Sequence, residues 1–475
     1  MSRRPLHVVL IGLLAVLLGG CATYSDNVKA AQDAVKYGEN EKAVALINEE
    51  LELESASELP DDFKGEKPLL LLERATILQS LGRYKLAARD MIAVDDSLEY
   101  LDLTTADKVK VGKWLYSGSS NVYRAPPYER LLLNTLNMVN FLAMRDIQGA
   151  KVEARRFSLL EYFFVEKQDK EVMGGILGIG NYLGGAAFEA AGDYEKAARY
   201  YGRALYFGVK DPGLRERVID LFAMTGHSPS ELQQNDPDAL ANVLKEVETT
   251  QPLTFEEYYE KYRRGDTIFL IQTGLVPYKI PKRIPLVQAM NYQQQYAYYG
   301  WTISSSTRSD AERLVYQGTL NTVNFPMLTT RNIPINRSVD LEVGGEGVRN
   351  FAYVDVATSV QNAWNQISGA LMAAAITRAV TRAVAGAAAN AAATAAANDS
   401  TIGALAGLAT KATMSAADKP DTRSWILLPS EIRIARMQLP PDVHQVTLNV
   451  GLRDDSRSVT VRENSLNFVN FSRLR

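Results

Sequence analysis

Four segments in the first half of this 475-residue chain carry one pattern: a turn residue, a polar or aromatic pair, and an alanine five positions after the turn. They are Tyr37-Gly38-Glu39 to Ala43, Leu81-Gly82-Arg83-Tyr84 to Ala87, Met144-Arg145-Asp146 to Ala150, and Ala191-Gly192-Asp193-Tyr194 to Ala197. Glycine adopts the left-handed conformation that ends one helix at no steric cost. The following aromatic is expected to pack back into the angle between two helices, and the alanine to let the second helix approach the first. The pattern therefore restricts this half of the chain to antiparallel helix pairs.

The last copy, Ala187 through Leu205, resembles a tetratricopeptide (TPR) repeat, with Gly192, Tyr194, Ala197 and Ala204 in the repeat's positions. The turns at 38, 82, 145 and 192 are 44, 63 and 47 residues apart, against the roughly 34 of that repeat. Insertions at Ser55–Lys67 and Ser117–Pro127 can absorb the excess. The expectation is an irregular TPR-like α-solenoid over about residues 26–250, with a generic helical bundle as the alternative. Such arrays leave a groove for a partner's peptide or helix. The residues expected to line it are Tyr128, Glu129 and Arg130 at the start of a long apolar helix, then Glu153, Arg155 and Arg156, then Tyr194. Those charges also suit the solvated face of an amphipathic helix. Gly174 to Asn181 is rich in glycine but lacks the Gly-Lys-Ser/Thr end of a phosphate loop, and reads as a flexible connector.

After Pro252 the helical period fades. Thr267–Thr273, Leu320–Met327, Val339–Val343 and Arg349–Val356 read as strands, as do Trp425–Leu428, Ile432–Met437, His444–Leu452, Ser458–Arg462 and Leu466–Phe471. Turns are expected at Pro440-Pro441-Asp442 and Arg453-Asp454-Asp455. Short strands at this spacing fit a small antiparallel β-sandwich. Between them an Ala-rich block, about 358–417, is expected to form a helical hairpin interrupted at Asn398-Asp399-Ser400. Its small faces suit close packing, self-association or membrane insertion. The fold class expected is α + β: a helical domain over 21–250 and a β-rich domain over 251–475 carrying the Ala-rich insert.

Arg3, Arg4, the apolar run Leu6–Leu18 and Leu18-Gly19-Gly20-Cys21 read as a lipoprotein signal peptide, residues 1–20, with Cys21 as the lipidated first residue of the mature chain. The apolar run is too short for a comfortable transmembrane helix. Two or more acyl chains hold a protein stably on a bilayer. Ala22 after the cysteine resembles the sorting pattern of outer-membrane lipoproteins, so the body is expected to face the periplasm. Loss of Arg3 and Arg4 with the signal leaves 50 basic and 55 acidic residues. That balance argues against nucleic acid as a partner. Cys21 is the one cysteine, and the three histidines, His7, His227 and His444, lie far apart in sequence. Thiolate and histidine-based catalysis and zinc binding are short of parts, so no metal and no cofactor are expected. Carboxylates suffice for a glycosidase-type pair, with Glu153 and Glu189 the least arbitrary candidates.

Three segments together resemble a family of bacterial TPR-type outer-membrane lipoproteins. They are Tyr128-Glu129-Arg130-Leu131 through Glu153-Ala154-Arg155-Arg156, then Gly274-Leu275-Val276-Pro277-Tyr278-Lys279, and then Asp421-Thr422-Arg423-Ser424-Trp425 with Leu428-Pro429, Ala435-Arg436 and Leu439-Pro440. The resemblance implies a lipid anchor, helical repeats and a mixed domain with an Ala-rich insert. It also implies a role in envelope assembly, because members of such a family are often encoded near lipoprotein activators of peptidoglycan synthases. Arg145 stands where the third turn would carry glycine. The function expected is a non-enzymatic periplasmic scaffold or adaptor. It would touch the membrane through its lipid and envelope proteins through the groove, and could self-associate through the Ala-rich helices. The alternative is an oligomeric subunit of an outer-membrane export or surface-appendage apparatus.

Overall fold

The computed structural model describes residues 23–97, 123, 125–167, 170–226, 237–295, 302–329, 338–397, 420–451 and 453–474. Cys21, the expected signal segment 1–20 and the part of the Ala-rich block beyond Ala397 lie outside them. The class is α + β, in two compact units. The larger comprises residues 30–278, 329–364 and 424–475, and the smaller 1–29, 279–328 and 365–423. The larger unit thus draws strands from beyond residue 250, where the sequence suggested a boundary.

Its helices form hairpins: α1 (Lys29–Tyr37) with α2 (Asn40–Glu50), α3 (Lys67–Ser80) with α4 (Tyr84–Ser97), α5 (Pro127–Ala143) with α6 (Ile147–Lys167), and α7 (Lys170–Ala190) with α8 (Tyr194–Tyr206). α9 (Leu214–Thr225) and α10 (Pro237–Thr249) follow, and from α2 onward successive helices pack on one another. The four turns are built identically. Gly38, Gly82, Arg145 and Gly192 all take positive φ, between 61° and 80°. The next residue donates its N–H to the carbonyl five back: Glu39 to Ala34, Arg83 to Leu78, Asp146 to Phe141 and Asp193 to Phe188, at 2.8–2.9 Å. This satisfies a carbonyl that the helix end would otherwise orphan. Ala43, Ala87, Ala150 and Ala197 are fully buried at the helix crossings. Arg145 therefore makes the same turn as glycine, accepting a left-handed backbone.

The segment Gly174–Asn181 is not a connector; it lies inside α7. Its glycines serve proximity rather than flexibility. A Cβ at Gly180 would sit 2.2 Å from the ring of Phe157 on α6, and one at Gly178 2.7 Å from Val209.

A four-stranded sheet follows in the order β10 (Asn467–Arg473), β1 (Asp266–Thr273), β7 (Glu431–Gln438), β6 (Ala352–Asp355). A second runs β5 (Glu346–Val348), β4 (Val339–Val343), β8 (Val443–Val450), β9 (Arg453–Thr460). Phe269, Ile271, Ala435, Val469 and Phe471 of the first share one core with Leu341, Val343, Val446 and Leu448 of the second. The expectation of a wholly antiparallel arrangement is corrected at one edge: β1 and β10 run parallel. Alternation could not reveal this, because it reports which face is buried and not strand direction. Arg453-Asp454-Asp455, expected as a turn, belongs to β9; the chain reverses at Gly451, whose φ is 64°. Trp425–Leu428 is not a strand.

In the smaller unit β2 (Lys279–Pro285) pairs antiparallel with β3 (Thr322–Leu328). The prolines of β2 hid it from a sequence reading, since proline is confined to sheet edges and strand ends. α11 (Leu286–Gln295) packs on this ribbon, burying Leu286 and Ala289, and α12 (Ser305–Tyr316) precedes β3. The Ala-rich block begins as α13 (Val356–Ala397), 42 residues long, its first turn capped by the Asp355 carboxylate on the Thr358 N–H at 2.8 Å. By length and composition Val356–Ala389 is apolar enough to cross a membrane, yet 44% of its most apolar window is buried in the protein.

Candidate functional site

The residues expected to line an open groove divide into two groups. Tyr128, Glu129 and Arg130 lie in the first turn of α5 and are buried, Glu129 to 1% exposure. What buries them is the chain itself. The Glu129 carboxylate accepts the N–H of Trp425 at 3.0 Å and the Tyr128 hydroxyl at 3.2 Å, and also bonds the Tyr123 hydroxyl. Glu73 on α3 accepts the next two N–H groups, Ile426 at 2.7 Å and Leu427 at 2.8 Å. The indole of Trp425 donates to Thr76 at 3.0 Å. Trp425–Leu428 therefore joins no ladder: Ile426 and Leu427 form a turn, and the N–H groups of Trp425, Ile426 and Leu427 go to two buried carboxylates. Hydrogen bonds to charged acceptors contribute about 1.5–3 kcal/mol each. The reading of Tyr128, Glu129 and Arg130 as partner contacts is corrected: an internal segment fills that position. Glu73 was missed, although a lone carboxylate inside Leu69-Leu70-Leu71-Leu72-Glu73 is the signal that a buried donor awaits it.

Glu153 on α6 is likewise buried. Asn134 donates to it at 2.9 Å, and Arg156 lies 3.7 Å away. Burial pushes its carboxyl up to about 7, against the relief of those two neighbours. Arg156 is drawn chiefly to α4, with Asp95 at 2.9 Å and Asp96 at 3.6 Å, and burial raises the Asp95 carboxyl as well. Glu153 ends a line of buried amides. Asn134, Asn137 and Asn140 recur every third residue of α5. Asn140 accepts from Gln79 at 2.8 Å, and Gln79 accepts in turn from Gln272 of β1 at 2.8 Å. Gln272 also donates to Asn470 of β10 at 2.9 Å, so the amides join helices to sheet.

Glu189 closes α7 within a second buried network. Arg217 and Arg436 donate to it at 2.7 Å each, Tyr201 at 2.7 Å and Tyr258 at 2.6 Å. Arg436 also forks onto Asp266 at 2.8 and 2.5 Å. Burial opposes ionisation of Glu189, but Arg217 and Arg436 outweigh it and hold the carboxyl well below the usual carboxylate range. Glu189 and Glu153 thus belong to separate networks with no shared partner. Both carboxyls are shut from solvent.

The remaining expected residues reach the surface. Arg155 is exposed and Arg156 half-buried. Val152, Leu159 and Tyr162 are 45%, 55% and 62% exposed and share the helical face of Arg155, at spacings of three and four. Tyr194 is half-buried, its ring 5.6 Å from that of Phe255 and 5.4 Å from that of Tyr258, on a one-turn helix Phe255–Tyr258. Among the described residues no group of His, Cys, Asp and Glu is placed to hold a metal ion. Comparison with protein-family models, with curated proteins and with solved structures returns no match to this chain.

Proposed function

We propose that this protein is a non-enzymatic outer-membrane lipoprotein, anchored through Cys21 and facing the periplasm, where its TPR-like helical array acts as a scaffold or adaptor in cell-envelope assembly. The observation that carries the reading is the α6 face of Val152, Arg155, Leu159 and Tyr162. Val152, Leu159 and Tyr162 stand exposed with a cation on a helix that buries Ala150, Ala154, Phe157 and Leu160. Exposed apolar groups spaced like helix anchors are a common means of seating a partner helix. Arg155, with Lys151 beside it, favours an amphipathic helix bearing acidic residues. The position around Glu129 is filled by Trp425–Leu428, so the partner surface is assigned to α6 instead.

Leu159→Asp with Tyr162→Asp tests this in cells. Photo-crosslinking from the α6 face of the unsubstituted protein is expected to capture an envelope protein. The double variant is expected to lose that product while keeping its thermal unfolding midpoint. Equal capture by both proteins would refute the assignment to α6. A Cys21→Ser protein that remained membrane-bound would refute the anchor.

A further inference from the structure

Helix α10 and the one-turn helix lead into a π-helical turn, Tyr259–Arg263, immediately before β1. Such turns insert one extra residue and are frequent at functional sites. Here the turn drives Tyr262 and Arg263 inward together. Three basic side chains occupy this short stretch, and two are matched. Lys261 meets Glu216 at 2.6 Å and Asp220 at 2.8 Å, and Arg264 meets Glu260 at 3.2 Å and Glu463 at 3.3 Å.

Arg263 is not matched. It is only 7% exposed, and its Nη1 is buried without a hydrogen-bond partner. No carboxylate among the described residues lies within ion-pair distance of it. The neighbouring charges do not supply one either. Glu189 and Asp266 are already neutralised by Arg217 and Arg436: Glu189 bonds both guanidiniums, and Asp266 is forked by Arg436 and lies 3.8 Å from Arg217. Two carboxylates balance two guanidiniums, and the third guanidinium is left over. Arg263 does feel Glu189 electrostatically, which places it at the margin of this network. An uncompensated buried charge is strongly destabilising, and a guanidinium has no accessible neutral form.

We propose that Arg263 is the base of a binding site for a small oxyanion, a carboxylate or phosphate group, that completes the charge balance of the Glu189 network. The fixed fork of arginine suits such a group. The π turn ends in two buried neighbours, Tyr262 and Arg263, with Tyr262 bonded to Asp220 and Arg263 left over. The site is separate from the α6 face and does not depend on it.

The test is titration of the full chain, purified in detergent, with inorganic phosphate and, separately, with acetate. Ionic strength is held constant with chloride. Calorimetry and the unfolding midpoint are read in parallel. A saturable heat and a saturable rise in the midpoint with at least one anion are expected. Phosphate alone would identify a phosphoryl ligand, and acetate alone or both would identify a carboxylate. Arg263→Met should abolish the response while unfolding no earlier than the parent in chloride, and Arg263→Lys should weaken binding at least tenfold. Absence of saturable binding of both anions by the unsubstituted protein overturns the proposal without any variant. An undiminished response in R263M overturns it as well.

Discussion

Glu153→Gln should stabilise this protein, and by an amount that grows with pH. The carboxyl ordinarily ionises near 4.5 and is held at about 7 in the fold, because burial among Asn134, Asn137 and the Arg156–Asp95 pair withholds water from the charge. Below the lower value both folded and unfolded chains carry the proton, and the group costs nothing. Between the two values the folded chain binds a proton that the unfolded chain lacks, so stability falls as pH rises. Above 7 both are ionised and the whole penalty is felt. At about 1.4 kcal/mol per unit, a shift from 4.5 to about 7 corresponds to roughly 3 kcal/mol. Glutamine keeps an acceptor for the Asn134 amide and never ionises. Its advantage over glutamate should therefore be about 1 kcal/mol at pH 5 and about 3 kcal/mol at pH 8. Urea unfolding of both proteins across that range, monitored by far-ultraviolet circular dichroism, measures the difference. A difference that stays flat, or is largest at low pH, would refute the argument that an ionised Glu153 is poorly compensated.

Three further outcomes test the framework around it. Arg145→Gly should unfold later by about 0.5–1 kcal/mol, since a left-handed backbone costs a non-glycine residue roughly 1–2 kcal/mol and the arginine returns only two long hydrogen bonds, of 3.4 Å each, to Thr460 and Asn467. Arg145→Val should unfold earlier than the parent in the same thermal scan. Arg436→Met should destabilise by about 3–5 kcal/mol, read by denaturant unfolding, because Glu189 and Asp266 would then share Arg217 alone. Glu73→Ala should expose the Trp425 segment: the Ile426 and Leu427 amides lose their acceptor, indole fluorescence should shift to longer wavelength, and hydrogen exchange at those two amides should quicken at least tenfold.

The hairpins were legible because each turn is a local event. The left-handed residue, the carbonyl it relieves and the alanine that permits the crossing all lie within ten residues, and Gly192 to Ala197 spells them out. Arg145 shows the limit of that reading, since the surrounding helices impose the same conformation on a residue that does not favour it. Val339–Val343 was equally legible from its alternation, and the structure pairs those residues with Val446–Val450 of β8. The candidate site was not. Tyr128, Glu129 and Arg130 carry the composition of a solvated binding face, and nothing near them in sequence tells that residues almost 300 positions later arrive to cover them.

Composition and local pattern thus determined what kinds of element this chain makes, where most helices turn, and which alanines and apolar residues go inside. Those properties follow from φ, ψ and side-chain size over a few neighbours. Tertiary structure alone decided which carboxylates are buried, which donors find them, and which cation is left over. Charge compensation in a low-dielectric interior depends on groups within a few ångströms, whatever their separation along the chain. Glu73 with Leu427 and Glu189 with Arg436 become partners only after folding, and the isolation of Arg263 exists only there.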